Sequence, residues 1–314
     1  YVGYSLFYLI FYRPDILILP NIAGSRANYL AAYFATLLAI PISTTLSEGD
    51  IRDVGTDYIW ANYPKFFSVC LFSLWSEWQK RAIMNSNFGE SLNYFSDVTL
   101  SGSLNHDAFR NYRSSMPDRH IIGIIGTAID YSTFEPNSKL LLNEKYNFRQ
   151  YQSILTSVVV SNPQIQFIFK PHPFSRGDSK ISLVQDISHL SNFTALDWNS
   201  SLTDFLDISS LLIAYKSNVS LQAWMLGKPC VSLVTLVENQ DEEIDCSQWH
   251  LAQPRVSSSE ELEHYINKSM TNYNHFYSEK ELSMQNQMIN RLIGSPTEFA
   301  YIKYGTSILQ FLDN

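Results

Sequence analysis

Apolar and polar positions in the first third of the chain alternate between a strand-like period and a helical one. The segment DILILP at 15–20 predicts a strand, and SRANYLAAYFATLLAI at 25–40 has helical spacing with an alanine-rich face. The pattern continues with a strand at 41–46, a strand at 66–73, a helix at 76–85, and a strand within 97–107 that ends in a glycine turn. This alternation predicts a parallel sheet with helices on both faces.

A polar segment with a proline, at 111–119, predicts a linker to a second series of the same kind. Strands are predicted at 120–130, 166–173, 193–198, 211–217 and 229–234, with helices at 151–162, 182–191, 201–209 and 219–227 between them. The sequence from about 258 onward is helical in pattern. We therefore predict two α/β, Rossmann-like domains at 1–115 and 120–257, and C-terminal helices at 258–314 of which one can cross back to the first domain.

Composition narrows the class of protein. With 314 residues, a net charge of −8 and a pI near 5.4, the chain has no overall attraction for nucleic acid or for an anionic membrane, so we expect no nucleic-acid partner. Cys70, Cys230 and Cys246 are too far apart in sequence to predict a disulfide framework or a zinc cluster. A reducing, cytoplasmic location fits best.

The first twelve residues, YVGYSLFYLIFY, are strongly apolar, but Arg13, Pro14 and Asp15 end the run well short of a membrane span. It also lacks the basic start and the cleavage site of a signal peptide. There is no initiator Met, so we expect further residues to precede it. This stretch and FFSVCLFSLW at 66–75 can contact membrane-bound lipid acceptors, but burial in the core is the better prediction for apolar stretches of this length.

The segment FIFKPHPFSRG, at 167–177, leaves a predicted core strand through Lys170 and His172, each followed by proline. Ligands of open α/β sheets bind beyond the carboxyl ends of the strands, so both side chains are candidate ligand contacts. The alternatives are a structural histidine and a solvated lysine.

The segment YKSNVS, at 215–220, also follows a predicted strand and runs into a helix. Ser217, Asn218 and Ser220 can cap that helix, whose free N–H groups would attract an anion; the alternative is an ordinary N-cap. The turn GIIGTAID supplies Gly123, Gly126 and Thr127, a weak phosphate-approach pattern for which a structural turn is the better interpretation.

In the first half, SEGD places Glu48 and Gly49 beside Asp50 after a strand. A carboxylate there is a candidate general base, with a solvated acidic loop as the alternative. The later segment SGSLNHD predicts a turn in which Asn105 or Asp107 caps a helix. The chain contains no Walker loop, HExxH, CxxC or GxSxG motif, and no evident DxD pair for a metal.

The ordered set SEGD, KPHP and KSNVS, the last leading into LQAWMLGKPCV, resembles bacterial GT-B glycosyltransferases that use CMP-activated acidic sugars, among them sialyltransferases, polysialyltransferases and capsule-type Kdo transferases. The resemblance covers roughly 15–234. It implies two Rossmann-like domains with parallel sheets facing a cleft, and a metal-independent, cofactor-free enzyme. That enzyme would move an acidic sugar from a CMP-linked nucleotide sugar to a surface glycan or glycolipid acceptor, in the cytoplasm or at the inner face of the membrane.

Residue by residue, the resemblance implies that Glu48 is the general base, with Gly49 and Asp50 on the acceptor side, and that His172 holds the nucleotide phosphate. The remaining donor-side residues would be Pro173 at the turn, Ser217, Asn218 and Ser220 at the phosphate, and Lys170, Gly126 and Thr127 near the nucleotide. Ser47 before Glu48, Asn218 within the hydroxyl pair, and Gln222 in place of a ribose-binding acid depart from the pattern, which leaves the nucleotide open. Three alternatives remain: a CDP-glycerol-type polyol-phosphate transferase, an inactive GT-B scaffold module, and an epimerase of free nucleotide sugars.

Overall fold

The structure is a computed structural model. In it, the chain forms two compact units. Unit 1 comprises Tyr1–Asn111 with Gln287–Asn314, and unit 2 comprises Tyr112–Asn286. The residues that the structure describes are 2–19, 26–45, 70–84, 96–110, 120–126, 139–172, 182–214, 217, 219–233, 252–294 and 298–313.

Unit 1 contains a four-stranded parallel sheet in the order β1-β2-β3-β4. The elements of its N-terminal part are α1 (Val2–Tyr12), β1 (Leu17–Leu19), α2 (Arg26–Leu37), β2 (Ile42–Thr45), β3 (Cys70–Leu74), α3 (Glu77–Met84), β4 (Asp97–Leu100), a 3-10 turn (Leu104–His106) and α4 (Asp107–Arg110).

Unit 2 contains a six-stranded parallel sheet in the order β10-β9-β8-β5-β6-β7. Its elements are β5 (Ile121–Ile125), α5 (Lys139–Ser161), β6 (Gln166–Lys170), α6 (Ser182–Ile187), β7 (Phe193–Ala195), α7 (Leu202–Ile208), β8 (Leu211–Ala214), α8 (Val219–Met225), β9 (Cys230–Leu233), β10 (Arg255–Val256), α9 (Ser259–Thr271) and a 3-10 turn (Tyr273–His275). Helix α10 (Glu279–Ile293) begins in unit 2 and ends in unit 1, since the boundary falls at Gln287. The last helix, α11 (Ala300–Asp313), belongs to unit 1.

Small residues allow helices to pack closely against the strands in both units. In unit 1, Ala32 and Ala35 are fully buried, which lets α2 pack closely on the strands that carry Ile42 and Phe72. In unit 2, a side chain at Gly123 would collide with Phe205 of α7 and with Ser209, so only glycine allows this helix to lie against β5. Strands buried on both faces are typical of parallel sheets.

Four hydrogen bonds attach α11 to the N-terminal part of unit 1. The backbone N–H groups of Ala300 and Tyr301 donate to the two carboxylate oxygens of Asp107, at 2.9 and 2.8 Å. Tyr304 shares a buried hydrogen bond of 2.7 Å with Ser43 of β2, and Thr99 of β4 donates to Ser307 at 3.2 Å. Asp107 thus caps a helix that lies far from it in sequence.

The predicted fold class, two Rossmann-like α/β domains with parallel sheets and a helical C-terminal region, is confirmed. Helix α5 begins at Lys139, before the predicted 151, and the two-residue strand β10 was not predicted. The core burial predicted for the aromatic N-terminus is wrong for Phe7, Phe11 and Tyr12, which are exposed. Across the described residues, no helix is both long and apolar enough to cross a bilayer.

Candidate functional site

The candidate site lies in unit 2, at the carboxyl edge of the sheet where the strand order reverses. Strand β5 stands at the centre, with β6 on one side and β8 on the other, and the chain leaves these three strands in the same direction. Crevices at such reversals are the usual ligand sites of open α/β sheets. The residues that follow the three strands include Gly126, His172 and Ser217.

Gly126 brings the ends of β5 and β6 into close contact. Its N–H donates to the carbonyl oxygen of Lys170 at 2.9 Å. A Cβ atom at this position would lie 2.9 Å from that oxygen and 2.9 Å from the backbone nitrogen of His172, closer than real Cβ contacts allow. The glycine predicted as a plain turn residue is therefore required for the backbone geometry that positions His172.

Replacing Gly126 with alanine is expected to push the β6 exit outward, because two of the atoms in the way are backbone. Overpacking of this kind typically costs about 1–3 kcal/mol of stability. We expect chemical denaturation to show that loss, together with at least a tenfold weaker binding of any ligand held by His172. Gly305→Ala is the matched control, since nothing lies within 4 Å of its added Cβ; equal effects of the two substitutions would contradict a special role for Gly126.

His172 is half-buried at the β6 exit. Burial lowers its pKa, and the neighbouring Lys170 ammonium lowers it further. The imidazole is therefore neutral near pH 7 and offers one N–H donor and one nitrogen acceptor. Such a ring can hydrogen-bond a phosphate oxygen or exchange a proton with a bound ligand.

Lys170 is engaged through its ammonium by backbone carbonyls that follow β6 and β7. Its ammonium donates to the carbonyl oxygens of Trp198, at 2.8 Å, and of Pro171, at 3.3 Å, and its side chain is buried. Burial also lowers its pKa. These hydrogen bonds connect the residues after β6 to the loop after β7, so Lys170 helps to hold the backbone of the site in place. Its proposed position beside a nucleotide stays a prediction.

The two serines near α8 differ in orientation. Ser217 is half-buried, and its hydroxyl and carbonyl oxygens accept from the N–H groups of Val219, at 3.3 Å, and Ser220, at 3.1 Å. Ser220 is only 1 % exposed and its hydroxyl lies 3.6 Å from the sulfur of Cys230. The structure thus places the Ser220 side chain in the core, and two N–H groups expected to attract an anion are already bonded to Ser217.

Six of the predicted site residues lie outside the described part of the chain. Their roles therefore stay predictions, the general base included; they are Glu48, Gly49, Asp50, Thr127, Pro173 and Asn218. Within the described ranges, no group of three His, Cys, Asp or Glu side chains is placed to hold a metal ion.

Buried polar groups without a described partner occur in both units, and the sequence analysis singled out Gln222 but not Thr44 or Thr45. In unit 2, the side-chain oxygen of Gln222 on α8 is buried without a partner among the described residues. In unit 1, the hydroxyls of Thr44 and Thr45, at the carboxyl end of β2, are likewise buried and have no described partner. Buried polar groups without a hydrogen-bond partner are uncommon, so these side chains call for one. In the sequence, the feature that points to Thr44 and Thr45 is the pair of threonines in PISTTL.

Unit 1 also has a pocket of about 170 Å³ at the carboxyl ends of β3 and β4. Gly102 and Gly294 shape it, both in the left-handed backbone region, with φ of 89° and 91°. Its walls carry both signs of charge and therefore favour neither anions nor cations. The lining residues are Trp75, Ser76, Glu77, Leu100, Ser101, Gly102, Arg110, Asn290, Gly294, Glu298 and Lys303.

Comparison with solved structures finds the same fold over nearly the whole chain. UDP-GlcNAc 2-epimerase from Neisseria meningitidis, bound to UDP-GlcNAc, has a TM-score of 0.55 and 12 % identity over 100 % of this chain and 80 % of its own. The enzyme from Methanocaldococcus jannaschii gives 0.56 and 13 % over 99 % and 80 %. HepE from Anabaena, in complex with UDP-glucose, gives 0.54 and 12 % over 98 % and 82 %. No protein-family model and no curated protein sequence matches the chain.

These similarities show a GT-B-like fold, and they correct the predicted activity. Transfer of an acidic sugar from a CMP-linked donor is wrong, because the structures that share the fold along its length are UDP-GlcNAc 2-epimerases and a protein complexed with UDP-glucose. The donor was predicted wrongly because the sequence motifs do not distinguish one nucleotide from another. Strand-end segments such as KPHP are predicted to contact a phosphate, and because every nucleotide sugar carries phosphate, such a prediction does not identify the nucleotide.

Proposed function

We propose that the chain binds a UDP-sugar at the carboxyl ends of β5, β6 and β8 and acts as a UDP-sugar epimerase. The observation that carries the proposal is the contact between Gly126 and the β6 exit, which fixes a neutral His172 beside the strand-order reversal. The shared fold with UDP-GlcNAc 2-epimerases and with UDP-glucose-bound HepE supports the choice of nucleotide.

The chemistry of epimerisation matches what such a site can offer. A sugar carbon can be inverted by removing its proton from one face and returning a proton to the other, and for this route the site needs a group that exchanges protons near neutral pH. If the bond between the sugar C1 and the diphosphate oxygen breaks as the C2 proton leaves, UDP takes the electron pair, and negative charge builds on its oxygens. Preorganised donors must meet that charge until the bond re-forms when a proton returns to C2. The His172 N–H can serve as such a donor, and the lowered pKa of its ring keeps it neutral in the working pH range.

Nucleotide binding tests the first half of the proposal. We expect calorimetric titration to show UDP bound at least tenfold more tightly than CMP, and His172→Ala to weaken UDP binding by tenfold or more, since a hydrogen bond to a charged group contributes about 1.5–3 kcal/mol. His189→Ala is the control, because this histidine is exposed on the same unit. Preferential binding of CMP, or an equal loss in both variants, would contradict the assignment.

Product analysis tests the second half. Incubated with UDP-GlcNAc in D₂O without any acceptor, the chain is expected to form the C2 epimer with deuterium at the inverted carbon, observable by NMR. UDP-glucose is the parallel substrate to test. Tight UDP binding without epimer or deuterium incorporation would retain the binding site and remove the activity.

A further inference from the structure

Helix α1 is apolar along its sequence, and its described second half, residues 7–12, is exposed on most of its sides. Among residues 7–12 only Leu9 is buried, where it joins the unit 1 core beside α2. Phe7 and Phe11 are 56 % and 69 % exposed, and Tyr8 and Tyr12 match them. A helix that is hydrophobic all round is normally covered by something, so this surface calls for a partner.

The neighbouring elements of unit 1 also expose apolar side chains. Helix α1 packs on α2, whose Tyr33 and Leu37 are exposed one turn apart, and β1 at the edge of the sheet exposes Ile18. We call this surface the aromatic face; it consists of Phe7, Tyr8, Ile10, Phe11, Tyr12, Ile18, Tyr33 and Leu37. Scattered single apolar residues need no explanation, but a row of this length does.

The aromatic side chains of α1 are arranged in two parallel rows. Phe7 lies against Phe11 with ring centroids 4.1 Å apart, and Tyr8 stacks on Tyr12 at 4.6 Å. One row is purely apolar, and the adjacent row pairs an apolar ring with a hydroxyl. Side chains with an apolar body and a polar tip are those enriched where lipid chains meet the headgroups.

Charge distinguishes this part of the chain from the rest. Asp15 is the only acidic residue among the first 47, which also contain Arg13 and Arg26, whereas the whole chain carries −8. The aromatic face therefore lies in the part of an acidic protein that an anionic surface repels least. Arg13 directly follows α1 and is exposed, so its side chain can reach lipid phosphates.

We propose that the aromatic face docks onto the surface of a lipid bilayer, with α1 lying in the interface. A helix of 11 residues is about 16 Å long, roughly half of the hydrocarbon thickness, so it is suited to lie along the surface and not to span it. Because the local charge is close to zero, aromatic insertion and not salt-sensitive attraction holds the protein there. This property goes beyond nucleotide-sugar chemistry and does not depend on it.

Vesicle flotation with the whole chain tests the proposal. We expect the protein to float with phosphatidylcholine vesicles, and with vesicles containing phosphatidylglycerol, and to remain bound when NaCl is raised from 0.1 to 0.5 M. Phe7→Ser/Phe11→Ser is expected to lower the bound fraction at least tenfold, and the independent pair Tyr8→Ser/Tyr12→Ser to lower it as well. Circular dichroism confirms that each variant is folded.

The matched control is Ile302→Ser/Leu309→Ser on α11, where the two side chains are 54 % and 65 % exposed but lie on another helix of the same unit. Flotation of this variant is expected to equal that of the unchanged protein. Three results would overturn the proposal: no flotation of the unchanged protein, equal losses in the control, or binding that disappears at high salt. Light scattering without lipid that shows a dimer abolished by Phe7→Ser/Phe11→Ser would assign the face to a second copy instead.

Discussion

Asp107→Ala is expected to destabilise unit 1 by about 3–5 kcal/mol, the usual cost of breaking a buried ion pair from one side. Asp107 accepts from Arg110 Nε at 2.7 Å and from the N–H groups of Ala300 and Tyr301. The Arg110 side chain is only 2 % exposed. Removing the carboxylate therefore takes an ion-pair partner from a largely buried guanidinium and uncaps α11 at the same time. Urea unfolding monitored by tryptophan fluorescence measures the loss.

Two further variants separate the charge from the cap. Asp107→Asn keeps an oxygen that can accept from one N–H of α11, so its loss is expected to be smaller. In Asp107→Ala/Arg110→Met the buried positive charge is removed as well, and part of the stability should return. Asp313→Ala, at the exposed end of α11, is the surface control. A loss below about 1 kcal/mol for Asp107→Ala would place this pair among exposed salt bridges of little energetic value.

Acid is expected to destabilise the fold through His106. This ring is buried, its Nδ1 lies 2.7 Å from the Ser103 hydroxyl, and it contacts Trp75 edge-on. Burial and then the Arg110 charge lower the pKa of His106 from 6.5 to about 4, with Asp107 acting in the opposite direction. As the pH falls, His106 therefore becomes protonated near pH 6.5 in the unfolded chain but only near pH 4 in the folded chain.

The stability provided by neutral His106 is complete above pH 6.5 and is lost as the pH falls towards 4, where the loss levels off. At 1.36 kcal/mol per pH unit, the difference amounts to about 3 kcal/mol. Because the acidic side chains also titrate in this range, the comparison is with His106→Asn, which retains a group for Ser103 but cannot be protonated. Urea unfolding at pH 7 and pH 4.5 should show the smaller pH-dependent loss in the variant; parallel pH profiles would contradict the assignment.

Local patterning was sufficient to predict the architecture. The β-branched and aromatic run before Lys170 and the alternating series in both halves correspond to strands that the structure contains, because a buried parallel strand imposes its apolar character on every residue. Elements without such a signal were not found: β10 has only two residues, and the polar first half of α5 does not show the apolar face used to predict its second half.

The details of the site depended on contacts that no local pattern encodes. KPHP indicated the strand exit, but the lysine turns towards the Trp198 carbonyl, which lies in the loop of another strand. Ser220 lies only three residues after Ser217 in the sequence. Its place in the first turn of α8 nevertheless directs its side chain to the core and Cys230. The sequence predicts that Asn105 or Asp107 caps a helix, and the structure shows Asp107 accepting from the first N–H of a helix 193 positions further along the chain.

The attachment of α11 to unit 1 has a consequence for synthesis. Residues 1–111 leave the ribosome long before α11 does. The Asp107 carboxylate and the Ser43 hydroxyl can therefore form their hydrogen bonds with α11 only after the whole of unit 2 has been synthesised. At typical elongation rates of about 5–20 residues per second, this delay is on the order of 10–40 s. Unit 2 is uninterrupted in sequence and can therefore fold first, although it is the second to emerge. During that interval the unfinished first unit is the part of the nascent chain most exposed to misassembly and to chaperones.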